Sequence, residues 1–261
     1  MIICVDLDST LLRSDKSISQ YTISTFENMK QNGNTIIINT ARSYQRCVNY
    51  AKEINADYII CNGGTDIYQK ETNSYIRIYN IFIPKEVVSK VCKEYLMYCK
   101  HLSIQTEKYF YTTQDNPTVD FVTKLPEKNS FSYNAYKIVI YKGLKEDIDR
   151  ISLENGLEYE VYVNGSYGKV GIKGVDKYSG LMNLLKIKDL EKEDVIFFGD
   201  DIGDLKCLLN CTYGVAMKNS IPEVLEAIHT VCDNNDNDGV SKYLNKLYEE
   251  KKVWRKYLMH F

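Results

Sequence analysis

Short, continuous apolar runs punctuate the chain: IICV (2–5), TIIIN (35–39), DYIIC (57–61) and DVIFFG (194–199). A strand with one wet face alternates apolar and polar residues, whereas unbroken apolar runs of this length mark strands covered on both faces. Between the first two runs the signals are helical, with Ser19 as N-cap and Gly33 just past the end. A second helix is expected from Ser43 to about Ile54. Repeated strand–helix–strand units argue for a parallel sheet with right-handed crossovers.

The last third resumes this rhythm. A helix from about Lys177 leads into DVIFFG, and a second begins at about Gly203. YGVAM (213–217), IPEVLEAI (221–228) and HTVC (229–232) follow. Two separated blocks thus supply six parallel strands to one doubly wound α/β sheet of Rossmann-like type. A basic, amphipathic helix from Val240 to about Leu258 closes the chain, its Lys and Arg pairs forming a solvated face. DNNDNDG (233–239) reads as a turn.

Residues 82–172 break the pattern. IPKEVVSKVCKEYLMYCK (83–100) reads as a helix, whereas LSIQTEKYFYTT (102–113), NAYKIVIYK (134–142) and LEYEVYVNG (157–165) read as strands. The expected organisation is therefore a core of 1–81 and 173–261 with an inserted α+β module at 82–172, hinged near Ile81–Pro84 and Gly171–Gly174. Tyr109, Tyr111 and Tyr167 invite a substrate-binding role, but among 22 tyrosines they are assigned to packing and surface.

With 261 residues, 44% of them hydrophobic, the chain can bury a large core. A formal charge of −2 gives no basic field for nucleic acid or anionic lipid. No apolar run approaches the roughly 20 residues of a membrane span. Met1 leads directly into the first strand, without a secretory leader pattern. Eight scattered cysteines without a CxxC pair suit core thiols in a reducing cytoplasm; Cys207 and Cys211 have no His near them to make a zinc site. No obligate protein partner is implied.

In an open parallel sheet, ligands bind beyond the carboxyl ends of the strands. The first strand delivers Asp6 and Asp8 there, and the second delivers Asn39, Thr40, Ala41 and Arg42. The third delivers Asn62, Gly63 and Gly64; DVIFFG delivers Asp200, Asp201 and Asp204. Any one exit alone is adequately explained by turns and caps, and Gly63–Gly64 is more simply a turn than a phosphate cradle. Acids gathered at two exits are not so explained. Two carboxylates about 5 Å apart repel by about 3 kcal/mol at an effective dielectric near 20. That demands a proton or a cation, and Mg²⁺ is the usual cation beside phosphate. Asp176 reads as an N-cap, which puts Lys177 in the first helical turn. A cation there is unfavourable unless an anion shares the site, and a phosphate would fill that need.

Together, DLDSTLL, the T-A-R after the second strand, VDKYSGL and FFGDDIGD resemble the four motifs of the haloacid dehalogenase superfamily of phosphotransferases. The long insertion between the second and third motifs, with ICNGG, YGVAMKNS and DNDGV, is similar to its Cof-like, large-cap (class IIB) branch. The resemblance implies that Asp6 is the nucleophile, with the Leu7 amide on the phosphate. It makes Asp8 the general acid and base, its pKa raised by its neighbours, and a Mg²⁺ ligand through its backbone carbonyl. Thr40 and the Ala41 amide would hold phosphoryl oxygens, and Lys177 would neutralise charge between nucleophile and phosphate. Asp6, Asp8 and Asp200 would hold Mg²⁺, supported by Asp204 and Asn62. The inserted module would be a cap that closes over the site and selects the substrate.

The chain departs from the branch at Ser9 and Ala41, where Gly is usual, and at Gly203, where relatives often carry a phosphate-contacting Asn. Asp201 is an extra acid that either reaches a metal indirectly or is solvated. The expected activity is a Mg²⁺-dependent phosphatase acting on small phosphorylated metabolites, sugar phosphates first, through an aspartyl-phosphate. One alternative is a phosphomannomutase-like phosphomutase, which calls for arginines in the cap, where only Arg150 is found. Another is a catalytically silent binding or regulatory protein of the same fold.

Overall fold

The computed structural model describes residues 1–106, 109–113, 122–124, 133–161 and 167–258. The chain begins with β1 (Ile2–Val5), α1 (Gln20–Gln31), β2 (Thr35–Asn39), α2 (Tyr44–Glu53), β3 (Tyr58–Cys61), β4 (Asp66–Lys70) and β5 (Tyr75–Asn80). There follow α3 (Lys85–Tyr95), β6 (His101–Thr106), β7 (Phe110–Thr112), β8 (Val122–Lys124), β9 (Ala135–Tyr141), α4 (Lys145–Glu154), β10 (Leu157–Val161) and β11 (Tyr167–Ile172). It continues with α5 (Lys177–Lys188), β12 (Val195–Gly199), α6 (Ile202–Asn210), β13 (Tyr213–Met217), α7 (Pro222–Ala227), β14 (Val231–Cys232) and α8 (Gly239–Leu258). These elements form two compact units: Met1–Tyr79 with Asp176–Phe261, and Asn80–Val175.

The first unit holds a sheet ordered β14-β13-β12-β1-β2-β3-β4-β5. From β14 to β3 every neighbouring pair is parallel. The unbroken apolar runs are explained by their two faces. Ile3, Val5, Ile36 and Ile38 pack with Phe26 and Met29 of α1, Ala51 of α2 and Leu244 of α8. Ile2, Cys4, Ile37 and Phe197 pack on the other face with Leu181 and Leu184 of α5 and Cys207 of α6. The Ser19 hydroxyl accepts from the Thr22 N–H and starts α1 as expected.

Sequence reading gave six strands to this sheet, and the structure has eight. β4 runs antiparallel to β3, and β5 extends the sheet beyond it. Both lie toward the edge and are polar or half-wet along part of their length, so neither carries the unbroken apolar signature of a central strand.

The second unit is a six-stranded sheet ordered β10-β11-β9-β6-β7-β8, antiparallel except for the parallel pair β7–β8. Val88, Val91 and Tyr95 of α3 and Ile148 and Ile151 of α4 pack with Leu102, Ile104, Ile138 and Ile140 of the strands. The expected helix at 83–100 is shorter, and α4, β8 and β11 are additions. α4 shows a narrow apolar stripe in a mostly charged segment, and β11 carries two glycines. The expected strand residues 107–108 and 162–165 lie outside the described residues. Tyr111 is buried and Tyr109 packs between the Tyr111 and Tyr133 rings, while Tyr167 lies beside Tyr141. Arg150 pairs along its own helix with Asp147 and Glu154. All eight cysteines are free, and no helix among the described residues is long and apolar enough to cross a membrane.

Candidate active site

β1 delivers its acid while still in the ladder: the Asp6 N–H donates to the Phe198 carbonyl at 3.0 Å. The next residues, Leu7–Leu11, make one wide turn closed by Leu11 N–H to Asp6 O at 3.3 Å and Leu12 N–H to Leu7 O at 2.8 Å. Leu7 buries its side chain completely. Ser9 takes φ 56°, a left-handed conformation that costs a side-chain-bearing residue free energy. The Thr10 hydroxyl donates to Asp200 Oδ1 at 2.6 Å, tying this turn to the exit of β12.

At the exit of β2, buried Asn39 donates through Nδ2 to the Lys177 carbonyl at 2.9 Å and so ties β2 to α5. Thr40 is buried, with its hydroxyl accepting from the Arg42 N–H, and Ala41 is exposed. Arg42 forks onto Asp8, Nε to Oδ2 at 2.7 Å and Nη2 to Oδ1 at 2.6 Å. Asn62, buried after β3, donates its N–H to the Arg42 carbonyl at 2.8 Å and its Nδ2 to Asp66. It therefore supports the loop that carries Arg42.

Asp176 caps α5 as expected, accepting from the Ser179 N–H at 2.7 Å in a capping box. Gly64 has φ +103°, and a Cβ there would stand 2.1 Å from the Asp176 carbonyl oxygen. The second glycine thus lets α5 approach the β3 loop closely enough to aim Lys177. Its Nζ lies 2.8 Å from Asp6 Oδ1 and 2.7 Å from Asp204 Oδ1. Asp204, fully buried, also accepts from the N–H groups of Asp200 and Asp201. Asp201 is the N-cap of α6, with Oδ1 on the Ile202 N–H, so its carboxylate has a structural task.

Asp6, Asp200 and Asp204 are all buried, and their carboxylate oxygens lie within 4.8 Å of one another. One lysine cannot balance three such charges. Burial raises the Asp6 pKa; Lys177 pulls it down, but Asp204 and Asp200 add to the rise, and it stands at about 8. Burial likewise lifts Asp200, against the Thr10 hydrogen bond, to about 7. Burial alone would lower Lys177, but Asp204 and Asp6 outweigh it and hold the ammonium well above the ordinary lysine range.

The expectation of a raised Asp8 pKa is overturned. Partial burial pushes it up, but Arg42 and Lys16 outweigh burial and hold the carboxyl down at about 2. Lys16 Nζ lies 2.9 Å from Asp8 Oδ1. The side chains of Asp6 and Asp8 thus face different partners, because after Asp6 the chain leaves β1 and bends into the wide turn Leu7–Leu11.

Of the site residues expected from sequence, Asp6, Lys177, Asp200 and Asp204 come together directly. Asp8, Thr40 and Asn62 join them through the Arg42 loop. Sequence reasoning misses Thr10 and Lys16 as site residues, and it delivers Asn39 and Arg42 to this edge without assigning either a role. Arg42 is legible as the last letter of T-A-R, whereas nothing local marks Thr10 or Lys16.

The family model of haloacid dehalogenase-like hydrolases matches residues 3–244. The 5-amino-6-(5-phospho-D-ribitylamino)uracil phosphatase YitU of Bacillus subtilis is 25% identical over 264 residues, covering 95% of this chain and 97% of its own length. Among solved structures, BT1666 of Bacteroides thetaiotaomicron, a phosphatase of this superfamily, superposes with a TM-score of 0.80 at 19% identity, covering 94% of each chain. The subclass IIB sugar phosphatase BT4131 superposes with a TM-score of 0.78 at 20% identity, over 94% of this chain and 98% of that one. The chain belongs to the haloacid dehalogenase-like hydrolase family.

Proposed function

We propose that this protein is a Mg²⁺-dependent phosphatase that hydrolyses small phosphate monoesters through a phosphorylated Asp6. The observation that carries the reading is Lys177 Nζ held between Asp6 and Asp204, beside Asp200, on the carboxyl edge of the parallel sheet. Asp6, the Asp8 carbonyl and Asp200 would hold the cation. The donor set fits it: all are hard oxygens, and the raised Asp6 and Asp200 carboxyls are short of positive charge. Bound there, Mg²⁺ would allow both acids to ionise together and would offset the dianionic phosphate.

The remaining steps belong to the chain's own residues. Asp6 attacks phosphorus in line; its oxygen–phosphorus bond forms as the ester oxygen–phosphorus bond breaks. Asp8 gives its proton to the leaving alkoxide, then takes one from the water that attacks the phosphoaspartate, freeing Asp6 and inorganic phosphate. Asp8 paired with Arg42 and Lys16 is the unprotonated form needed for the second step, so proton donation in the first requires that pairing to loosen. Thr40 and the amides of Leu7 and Ala41 hold the phosphoryl oxygens, and Lys177 offsets their charge.

The substrate is a phosphate carried on a sugar or sugar-alcohol chain, as in the names of YitU and the sugar phosphatase BT4131. The inserted unit selects it, and the cytoplasm, where free thiols persist, is the place of action. The phosphomutase alternative draws no support from Arg150, which is engaged by acids on its own helix.

The test is phosphate release from p-nitrophenyl phosphate, sugar phosphates and 5-amino-6-(5-phospho-D-ribitylamino)uracil, with and without Mg²⁺, for wild type and Asp6→Asn. Mg²⁺-dependent release that Asp6→Asn abolishes is expected. No release from the folded, Mg²⁺-supplied protein across the panel overturns the reading.

A further inference from the structure

We propose that Asn219 and Asn235 are positioning residues that brace the catalytic turn 7–12 from the C-terminal end of the chain; their catalytic part rests on the phosphatase reading above. The DNNDNDG turn looks like a simple connection in sequence, yet it grips the first motif at several points. Asn235, buried, donates through Nδ2 to the Leu12 carbonyl at 2.9 Å. Its backbone N–H donates to Asn219 Oδ1 at 3.0 Å, and Asn219 Nδ2 donates to the Ser9 carbonyl at 2.8 Å. Farther along, Asp236 accepts from the Ser14 N–H and hydroxyl, and Asp238 from Arg13, Ser19 and Thr22.

The turn needs such support. Ser9 holds a left-handed conformation, and such residues persist where their surroundings over-determine them. Thr10 is anchored on one side by Asp200, and the two asparagines anchor Ser9 and Leu12 on the other. The peptides that follow Asp6 and carry Asp8 lie between the bond of the Asp6 N–H to the Phe198 carbonyl and these anchors. A shift of a fraction of an ångström here misaims both acids.

The relay has a direction. Because Asn219 Oδ1 is committed to the Asn235 N–H, only Nδ2 remains to face the Ser9 carbonyl. Asn219→Asp keeps the shape and the acceptor but sets a carboxylate oxygen against a carbonyl oxygen. Asn219 is exposed, so this substitution leaves the core intact.

Amide hydrogen exchange of residues 7–12, thermal unfolding and steady-state kinetics would be compared for wild type and Asn219→Asp. The expected result is exchange at least tenfold faster in the turn, a melting temperature near wild type, and kcat reduced about tenfold at unchanged KM. Unchanged exchange overturns the brace whatever the activity. Faster exchange with wild-type kcat, or a kcat that falls only with the folded fraction, overturns the positioning role. Wild type without phosphate release overturns that role together with the phosphatase reading, while exchange still decides the brace.

Discussion

Lys177 Nζ lies 2.7 Å from Asp204 Oδ1, with 9% of the lysine side chain and none of the carboxylate's exposed. The pair joins the first turn of α5 to the first turn of α6. Asp204 reaches it because β12 ends in glycine: a Cβ on Gly199 would stand 2.5 Å from the Asp204 side chain. The ammonium that faces Asp6 is therefore aimed by a second acid behind it.

Asp204→Ala leaves the ammonium with one partner and strips two backbone N–H groups of their acceptor. Breaking a buried pair from one side costs about 3–5 kcal/mol. Denaturant unfolding should show a loss of this order, with phosphatase activity falling by at least about a hundredfold as Lys177 loses its aim.

Arg42→Met tests the grip on Asp8. The Asp8 carboxyl titrates at about 2 because Arg42 and Lys16 favour its ionised form. A depressed folded-state pKa contributes stability that is present above the unfolded value and lost as pH falls through the folded one. Wild type should lose this contribution between about pH 4 and pH 2. In the variant the carboxyl should titrate higher, read by carbon NMR of the Asp8 side chain, and that part of the acid loss should shrink.

Gly64→Ala combines a left-handed backbone with a methyl placed 2.1 Å from the Asp176 carbonyl oxygen. The strain should lower stability by at least about 1–3 kcal/mol. As α5 is pushed off the β3 loop, kcat should fall more than the melting temperature alone accounts for. Paired calorimetry and kinetics check both.

Gly203→Ala should do the reverse. A Cβ there meets nothing within 4 Å, and the residue sits in the first turn of α6. Removing backbone freedom from the unfolded chain should stabilise the protein by about 0.5–1 kcal/mol, seen as a higher melting temperature.

The central strands, the helices on both faces and the acids at the strand exits are legible in sequence because their signals are local. The cap at Asp176 is visible for the same reason. β4 and β5 are not, since residues near a sheet edge need no unbroken apolar run. Asp201, open in sequence between metal and solvent, is a helix cap because α6 begins one residue later.

By itself the sequence determined which strands would be buried on both faces, which residues would leave them on the carboxyl edge, and that Lys177 would begin a helix there. Those outcomes follow from apolar periodicity and capping chemistry within a few residues. Only the tertiary structure decided that Asp8 faces Arg42 and Lys16 rather than the other acids. It alone decided that Thr10 binds Asp200, 190 residues away, and that Asn219 and Asn235 hold Ser9 and Leu12 from 210 and 223 residues away. A hydrogen bond between such distant positions leaves no trace in local pattern, because each partner's geometry is set by the sheet and loops that carry it.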